Sequence, residues 1–289
     1  MYQPTIPGPV SYPKIPDFKL PPLACDAHTH IFGPGDKYPY APERSYTPPD
    51  APLSAFQALH KRLGIGRAVI VNATVHGTDN RVALDAIAAS GGRYRGVANV
   101  DGAITEQGIG ALHSGGFRGC RFNFVRHLGG VPDMNAFHRI VAMIAPLNWH
   151  VDLHFDAIDL PEYAPLLKQL PVRYTIDHIG RVKAADGLDQ QPFQVLIELM
   201  QSDEKCWVKA SGFERVSAFG PPFHDAIPFA RKLVETAPDR VIWGTDWPHP
   251  NVKVMPDDGA LVDLIPLFVP ETDLQQKILV ANPARLFDF

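Results

Sequence analysis

From residue 24 onward, short runs of β-branched and aromatic residues alternate with stretches whose apolar positions recur at helical spacing. The runs predict strands over Cys25–Phe32, Arg67–Ala73, Tyr94–Val100, Phe117–Asn123, Trp149–Phe155, Arg173–Gly180, Cys206–Gly212 and Val241–Trp247. Helical patterns fall between them, near 53–63, 79–90, 105–114, 133–145, 160–169, 191–201, 223–236 and 258–268, with a short terminal helix around 271–278. Such alternation favours a parallel sheet. Eight repeats favour an α/β chain closed into one (β/α)8 TIM-type barrel over an open sheet. No GxGxxG follows the first strand, which weakens a dinucleotide-binding alternative.

Composition changes this picture only at the N-terminus. Seven of the chain's 29 prolines precede Leu23. A stretch that rich in proline holds neither a helix nor an inner strand. The expected organisation is an extended arm over 1–22 and a barrel over 23–289. With 289 residues, 45% hydrophobic and 20% charged, the chain can bury a large core. A net charge of −4 argues against a general nucleic-acid or membrane-surface binder. Cys25, Cys120 and Cys206 show no CxxC, so neither a disulfide framework nor a thiolate zinc site is indicated. The first residues lack the basic and apolar regions of a signal peptide, and no apolar run approaches the roughly 18 residues of a membrane helix. The expectation is a cytoplasmic protein, with a homo-oligomer left open.

The strongest chemical signal is DAHTH at residues 26–30. Strand side chains alternate faces, so Asp26, His28 and His30 point one way, the two imidazoles about 7 Å apart. A bare HxH is as readily a pair of hydrogen-bonded histidines. Other strand ends change that balance. His150, Asp152 and His154 share a face of strand five, His178 follows strand six, and Asp246 follows strand eight. In a barrel the C-terminal strand ends ring one pocket. Three imidazoles and a carboxylate, with a fourth histidine nearby, suit a divalent metal such as zinc.

DAHTH on strand one, DHIGR at 177–181, WGTDWPHP at 243–250 and the terminal ANPARLF together resemble the amidohydrolase superfamily, in its amidohydrolase-2 branch. Within it, DAHTHIFGP, HGTDN, RGCRFNF, DHIGR and WGTDWPHPN most resemble the lactonases that act on pyrone dicarboxylates and sulfomuconolactones. The resemblance implies His28, His30, His154 and Asp246 as ligands of one metal, Zn2+ by expectation. It implies Asp246 as the base that deprotonates water, and His178 as the group that polarises the carbonyl or orients the water. A metal lowers the pKa of bound water towards about 7, and a nearby carboxylate can take its proton.

Two positions depart from the pyrone-dicarboxylate pattern. Those lactonases carry a tyrosine at His154 and work without a metal, and they carry an arginine at His127. Both departures favour a zinc-dependent relative that prefers 4-sulfomuconolactone, with metal-free hydrolysis of 2-pyrone-4,6-dicarboxylate as the rival. A decarboxylase or a lactone isomerase of the same superfamily is a further alternative. Arg121, Arg126, Arg181 and Arg215 follow strands four, six and seven or face the mouth, and guanidinium forks suit carboxylate or sulfonate groups. Tyr46 and His76 complete the expected substrate contacts. The predicted partner is a small anionic lactone.

Overall fold

In a computed structural model describing residues 3–125 and 130–289, the predicted strands form in order. They are β1 (Cys25–Thr29), β2 (Arg67–Val71), β3 (Tyr94–Asn99), β4 (Phe117–Asn123), β5 (His150–His154), β6 (Tyr174–Ile176), β7 (Cys206–Ala210) and β8 (Val241–Trp243). Each pairs in parallel with its sequence neighbour, making one eight-stranded sheet. Helices such as Leu53–Leu63, Met134–Ile144 and Gln191–Ser202 pack their apolar stripes on its outside. Among the described residues no helix is long and apolar enough to cross a membrane.

The β1–β8 seam closes through specific bonds rather than a regular ladder. The Asp246 N–H donates to His28 O at 2.9 Å, and the His30 N–H to Trp247 O at 2.7 Å. The Asp26 carboxylate accepts from the Thr245 N–H at 2.9 Å and from its hydroxyl at 2.6 Å. Gly244 makes this approach possible, because a Cβ there would lie 2.6 Å from the His28 nitrogen.

Every strand but β4 ends before its predicted run does, by three residues at β1 and by four at β6 and β8. β6 stops at Ile176 instead of Gly180, and β8 at Trp243 instead of Trp247. His178, Ile179 and Arg181 each have φ of 54°, and Asp246 has 69°. Left-handed backbone costs an L-residue roughly 1–2 kcal/mol and cannot continue a ladder. The chain therefore leaves the sheet where its polar side chains reach the barrel mouth. The terminal helical run is longer than expected, from Thr272 to Phe287 with a π turn at Lys277–Ala281. Pro283 follows that π turn directly, at the second position of the last segment, Asn282–Phe287.

Residues 3–22 carry no helix or strand. The Lys14 N–H donates to both Asp257 oxygens at 2.9 and 3.1 Å, its ammonium lies 2.6 Å from Asp263, and the Phe18 N–H donates to Asp263. Gly259 admits the segment, since a Cβ there would overlap the Lys14 carbonyl.

Candidate active site

Barrel interiors are commonly filled by branched apolar side chains. Here the middle layer is ionic. Lys209 on β7 is fully buried, with its Nζ 2.6 Å from Asp152 Oδ2, 3.1 Å from Asp177 Oδ1 and 3.0 Å from His28 Nδ1. Arg121 on β4 donates to Asp177 Oδ2 at 2.8 Å, and Thr175 donates to the other Asp152 oxygen. Two cations and two carboxylates balance, which is what makes burying them tolerable. Burial and the neighbouring Asp177 push Asp152 up to about 6. Burial would raise Asp177 as well, but Lys209, His28 and Arg121 hold it well below the usual carboxylate range.

Above this layer, one oxygen of Asp246 gathers the imidazoles. Asp246 Oδ1 lies 3.3 Å from His30 Nε2, 3.5 Å from His28 Nε2 and 3.9 Å from His178 Nε2. Oδ2 accepts from Arg215 Nε at 3.0 Å and Nη2 at 2.6 Å. Burial opposes the Asp246 charge, yet Arg215 and the imidazoles hold its pKa well below the ordinary value. Burial, then Lys209, drives His28 down to about 3, and burial lowers His154 and His178 strongly. These rings are neutral at pH 7, the state in which a histidine can ligate.

The donor set fits a divalent ion. His28 Nε2 and Asp246 Oδ1 are both buried without a hydrogen-bond partner. The His30 Nδ1–H donates to the Val71 carbonyl at 2.8 Å, and its Nε2 is directed at Asp246 Oδ1. Two acceptors at 3.3 Å call for a cation or a proton between them. A tetrahedral sphere with bonds of 2.0–2.1 Å has ligand–ligand edges of about 3.3 Å, close to the two shortest separations here. His28, His178 and Asp246 bring ligand atoms within 4.8 Å of one another.

His154 stands apart from that group. Its Nδ1–H donates to Asn123 Oδ1 at 2.9 Å, and its Nε2 accepts from Arg181 Nη1 at 2.9 Å. The ring is 5.7 Å from that of His178, but its lone pair is engaged. The structure thus gathers His28, His30, His178 and Asp246, and holds His154 beside His178 with its Nε2 on Arg181.

Of the other expected residues, Tyr46, Arg121, Arg181 and Arg215 line the pocket with His30, His154, His178 and Asp246. Burial pushes the Tyr46 phenol up to about 12, so it remains a hydrogen-bond donor. His76 lies outside the lining, its ring against Tyr40 and its Nδ1 3.4 Å from the Pro39 carbonyl. Arg126 and His127 lie outside the described residues. The arginines are not held as bare charges: Arg121 pairs with Asp177, Arg181 with Asp156 at 3.0 Å, and Arg215 with Asp246. Sequence reasoning missed Lys209, Thr74 and Asn251, the last two of which also line the pocket. A lysine inside the buried strand CWVKA was the available signal for the first.

Residues 25–289 match the amidohydrolase family model Amidohydro_2. The 2-pyrone-4,6-dicarboxylate hydrolase of Comamonas testosteroni is 47% identical over 95% of this chain and 93% of its own. The 4-sulfomuconolactone hydrolase of Hydrogenophaga intermedia is 43% identical over 93% and 90%. A solved apo structure from Agrobacterium tumefaciens superposes with a TM-score of 0.82 at 28% identity, covering 95% of this chain and 98% of that one.

Proposed function

The chain belongs to the amidohydrolase family, and from that premise we propose that its pocket opens a small dianionic lactone with the help of one divalent metal. The enzyme is a hydrolase of a carboxylic ester bond, a lactonase of aromatic-compound breakdown. The observation that carries the finer reading is Asp246: one oxygen clamped by Arg215, the other turned to three imidazoles.

That division of labour yields the chemistry. Arg215 fixes Oδ2, so Oδ1 is the oxygen that accepts a proton from the attacking water. The water oxygen bonds to the lactone carbonyl carbon, and the carbonyl oxygen takes the negative charge. Arg121 keeps a buried Nε–H without a partner, and Tyr46 offers a phenolic donor; both can face developing negative charge on the substrate. Collapse breaks the ring C–O bond, and the proton on Asp246 returns to the departing ring oxygen. A divalent metal, held by His28, His30 and Asp246, would lower the pKa of water and polarise the carbonyl. His178, with its Nε2 3.9 Å from Asp246 Oδ1, would be the further ligand, since Arg181 engages the His154 Nε2.

Arg121, Arg181 and Arg215 give one pocket a guanidinium lining that suits anionic groups. We place 4-sulfomuconolactone ahead of 2-pyrone-4,6-dicarboxylate, because His154 departs from the pattern that the sequence resemblance implies for the pyrone lactonases. The test is elemental analysis of protein purified without added metal, paired with a lactone panel. About one zinc equivalent should be found, retained in His154→Ala and lost in His178→Ala. Full activity after thorough metal removal would overturn the metal, and equal turnover of neutral lactones would overturn the dianion.

A further inference from the structure

Each of the three pocket arginines already faces a carboxylate, but the three carboxylates differ in what release would do to them. The side chain of Asp177, the partner of Arg121, is 0% exposed, and that of Asp246, the partner of Arg215, is 1% exposed. If a substrate anion took either arginine, a buried carboxylate would be left without its cation, a strongly unfavourable state. Asp156, the partner of Arg181, is 42% exposed. It alone of the three can turn to solvent.

Arg181 stands between two spaces. Its side chain lines the pocket with His178 and Asp246, and it also lines an outer cleft of about 550 Å³ with Asp156, Ile158 and Lys183. Asp156 holds it from the cleft side, where Oδ1 accepts from Arg181 Nε at 3.0 Å and lies 3.0 Å from Nη2. Asp156 occupies the N-cap position of the turn Ala157–Asp159. An aspartate there ordinarily accepts from the backbone N–H groups that follow it, yet this side chain makes no cap bond. Its carboxylate serves Arg181 instead. Burial and Arg215 disfavour the Arg181 charge, and Asp156 is its main support.

We propose that Asp156 is a specificity-determining residue: a resident counter-ion of Arg181 that an anionic group of the substrate displaces. In the empty pocket Asp156 keeps the guanidinium paired. A carboxylate or sulfonate arriving from the pocket side takes over that pairing, and Asp156 turns towards solvent in the cleft. A partly exposed ion pair contributes little, so its release opposes binding only weakly. A neutral ligand has no charge to offer in exchange and leaves the pair intact. This inference rests on the dianion reading of the pocket arginines.

The direct test is a crystal structure of the full chain with benzene-1,3-dicarboxylate, an unreactive dianion. Asp156 should stand beyond about 4 Å from the Arg181 guanidinium, outside ion-pair range. An Asp156–Arg181 pair unchanged at 3.0 Å beside the bound dianion overturns the proposal. Calorimetry with the same probe gives a second test. Asp156→Ala removes the competing carboxylate, so the probe should bind about three- to fivefold more tightly, a gain that damage to the site does not produce. Loss of a negative charge also favours an anion from a distance, and Asp186→Ala, on the same cleft lining, measures that contribution. Equal gains in the two variants, or no gain in Asp156→Ala, overturn the exchange. Arg181→Met separates this result from the reading beneath it. If that variant binds the probe as tightly as the wild type, the dianion reading fails together with the exchange. If it binds the probe weakly while Asp156→Ala shows no gain, the exchange alone fails.

Discussion

Asp26 and Asp246 are two buried aspartates on the same β1–β8 seam, and their surroundings are opposite. Both oxygens of Asp26 accept short bonds from Thr245, and the first also receives the His28 N–H at 3.3 Å. Asp246 has one oxygen saturated by Arg215 and one without a hydrogen-bond partner. A buried carboxylate oxygen left unpaired is costly. The fold bears that cost at Asp246 and avoids it at Asp26. Asp26 closes the barrel, and the open oxygen of Asp246 is what the proposed base and metal-ligand roles require.

Asp246→Asn breaks this comparison most severely. Asparagine keeps the size but cannot take the water proton, so kcat should fall by at least about 100-fold. An unchanged kcat with a raised KM would instead make Asp246 a substrate-positioning group. Next comes Arg181→Met, which removes a pocket cation without touching Asp246. Charged hydrogen bonds contribute about 1.5–3 kcal/mol, so kcat/KM for a dianionic lactone should drop roughly 10- to 100-fold. A neutral analogue should lose much less; equal losses would point to a collapsed pocket.

A pH profile sharpens the contrast further. Asp246 works as a base only when ionised, so its contribution is present above its pKa and lost as pH falls through it. Burial opposes ionisation and Arg215 outweighs burial, so the wild-type acid limb of kcat/KM due to Asp246 lies below about pH 4. Arg215→Met leaves burial unopposed by its main partner, and that limb should move to higher pH. An unmoved limb would show that Arg215 does not set the Asp246 charge. The smallest effect on turnover belongs to Asp26→Asn. It should destabilise by about 1–3 kcal/mol, a melting shift of roughly 2–4 °C per kcal/mol at this size, while kcat per folded molecule stays within about twofold. A large loss of kcat there would dissolve the distinction between the two aspartates.

Much of the fold was legible because its signals are local. The helix Leu53–Leu63 and the strand Phe117–Asn123 form over the predicted residues, since their periodicities depend only on which face meets the core. The ends of β6 and β8 were not legible. His178, Ile179 and Asp246 sit in left-handed backbone that hydrophobic periodicity does not report, and the surrounding barrel holds it in place.

The site divides in the same way. Residue types and their order along the strands were enough to bring His28, His30, His178 and Asp246 to one mouth, because a parallel barrel places every strand's C-terminal end there. Which nitrogen of each ring is free was beyond the sequence. Arg181 takes the His154 lone pair from 27 positions away, and Lys209 reaches His28 across 181. The pairing of the pocket arginines with Asp156, Asp177 and Asp246 is equally remote from any motif. Residue order determined the inventory of groups at the mouth. Hydrogen-bond partners there are chosen by distances of a few ångströms between strands far apart in the chain, and only the closed barrel sets those distances.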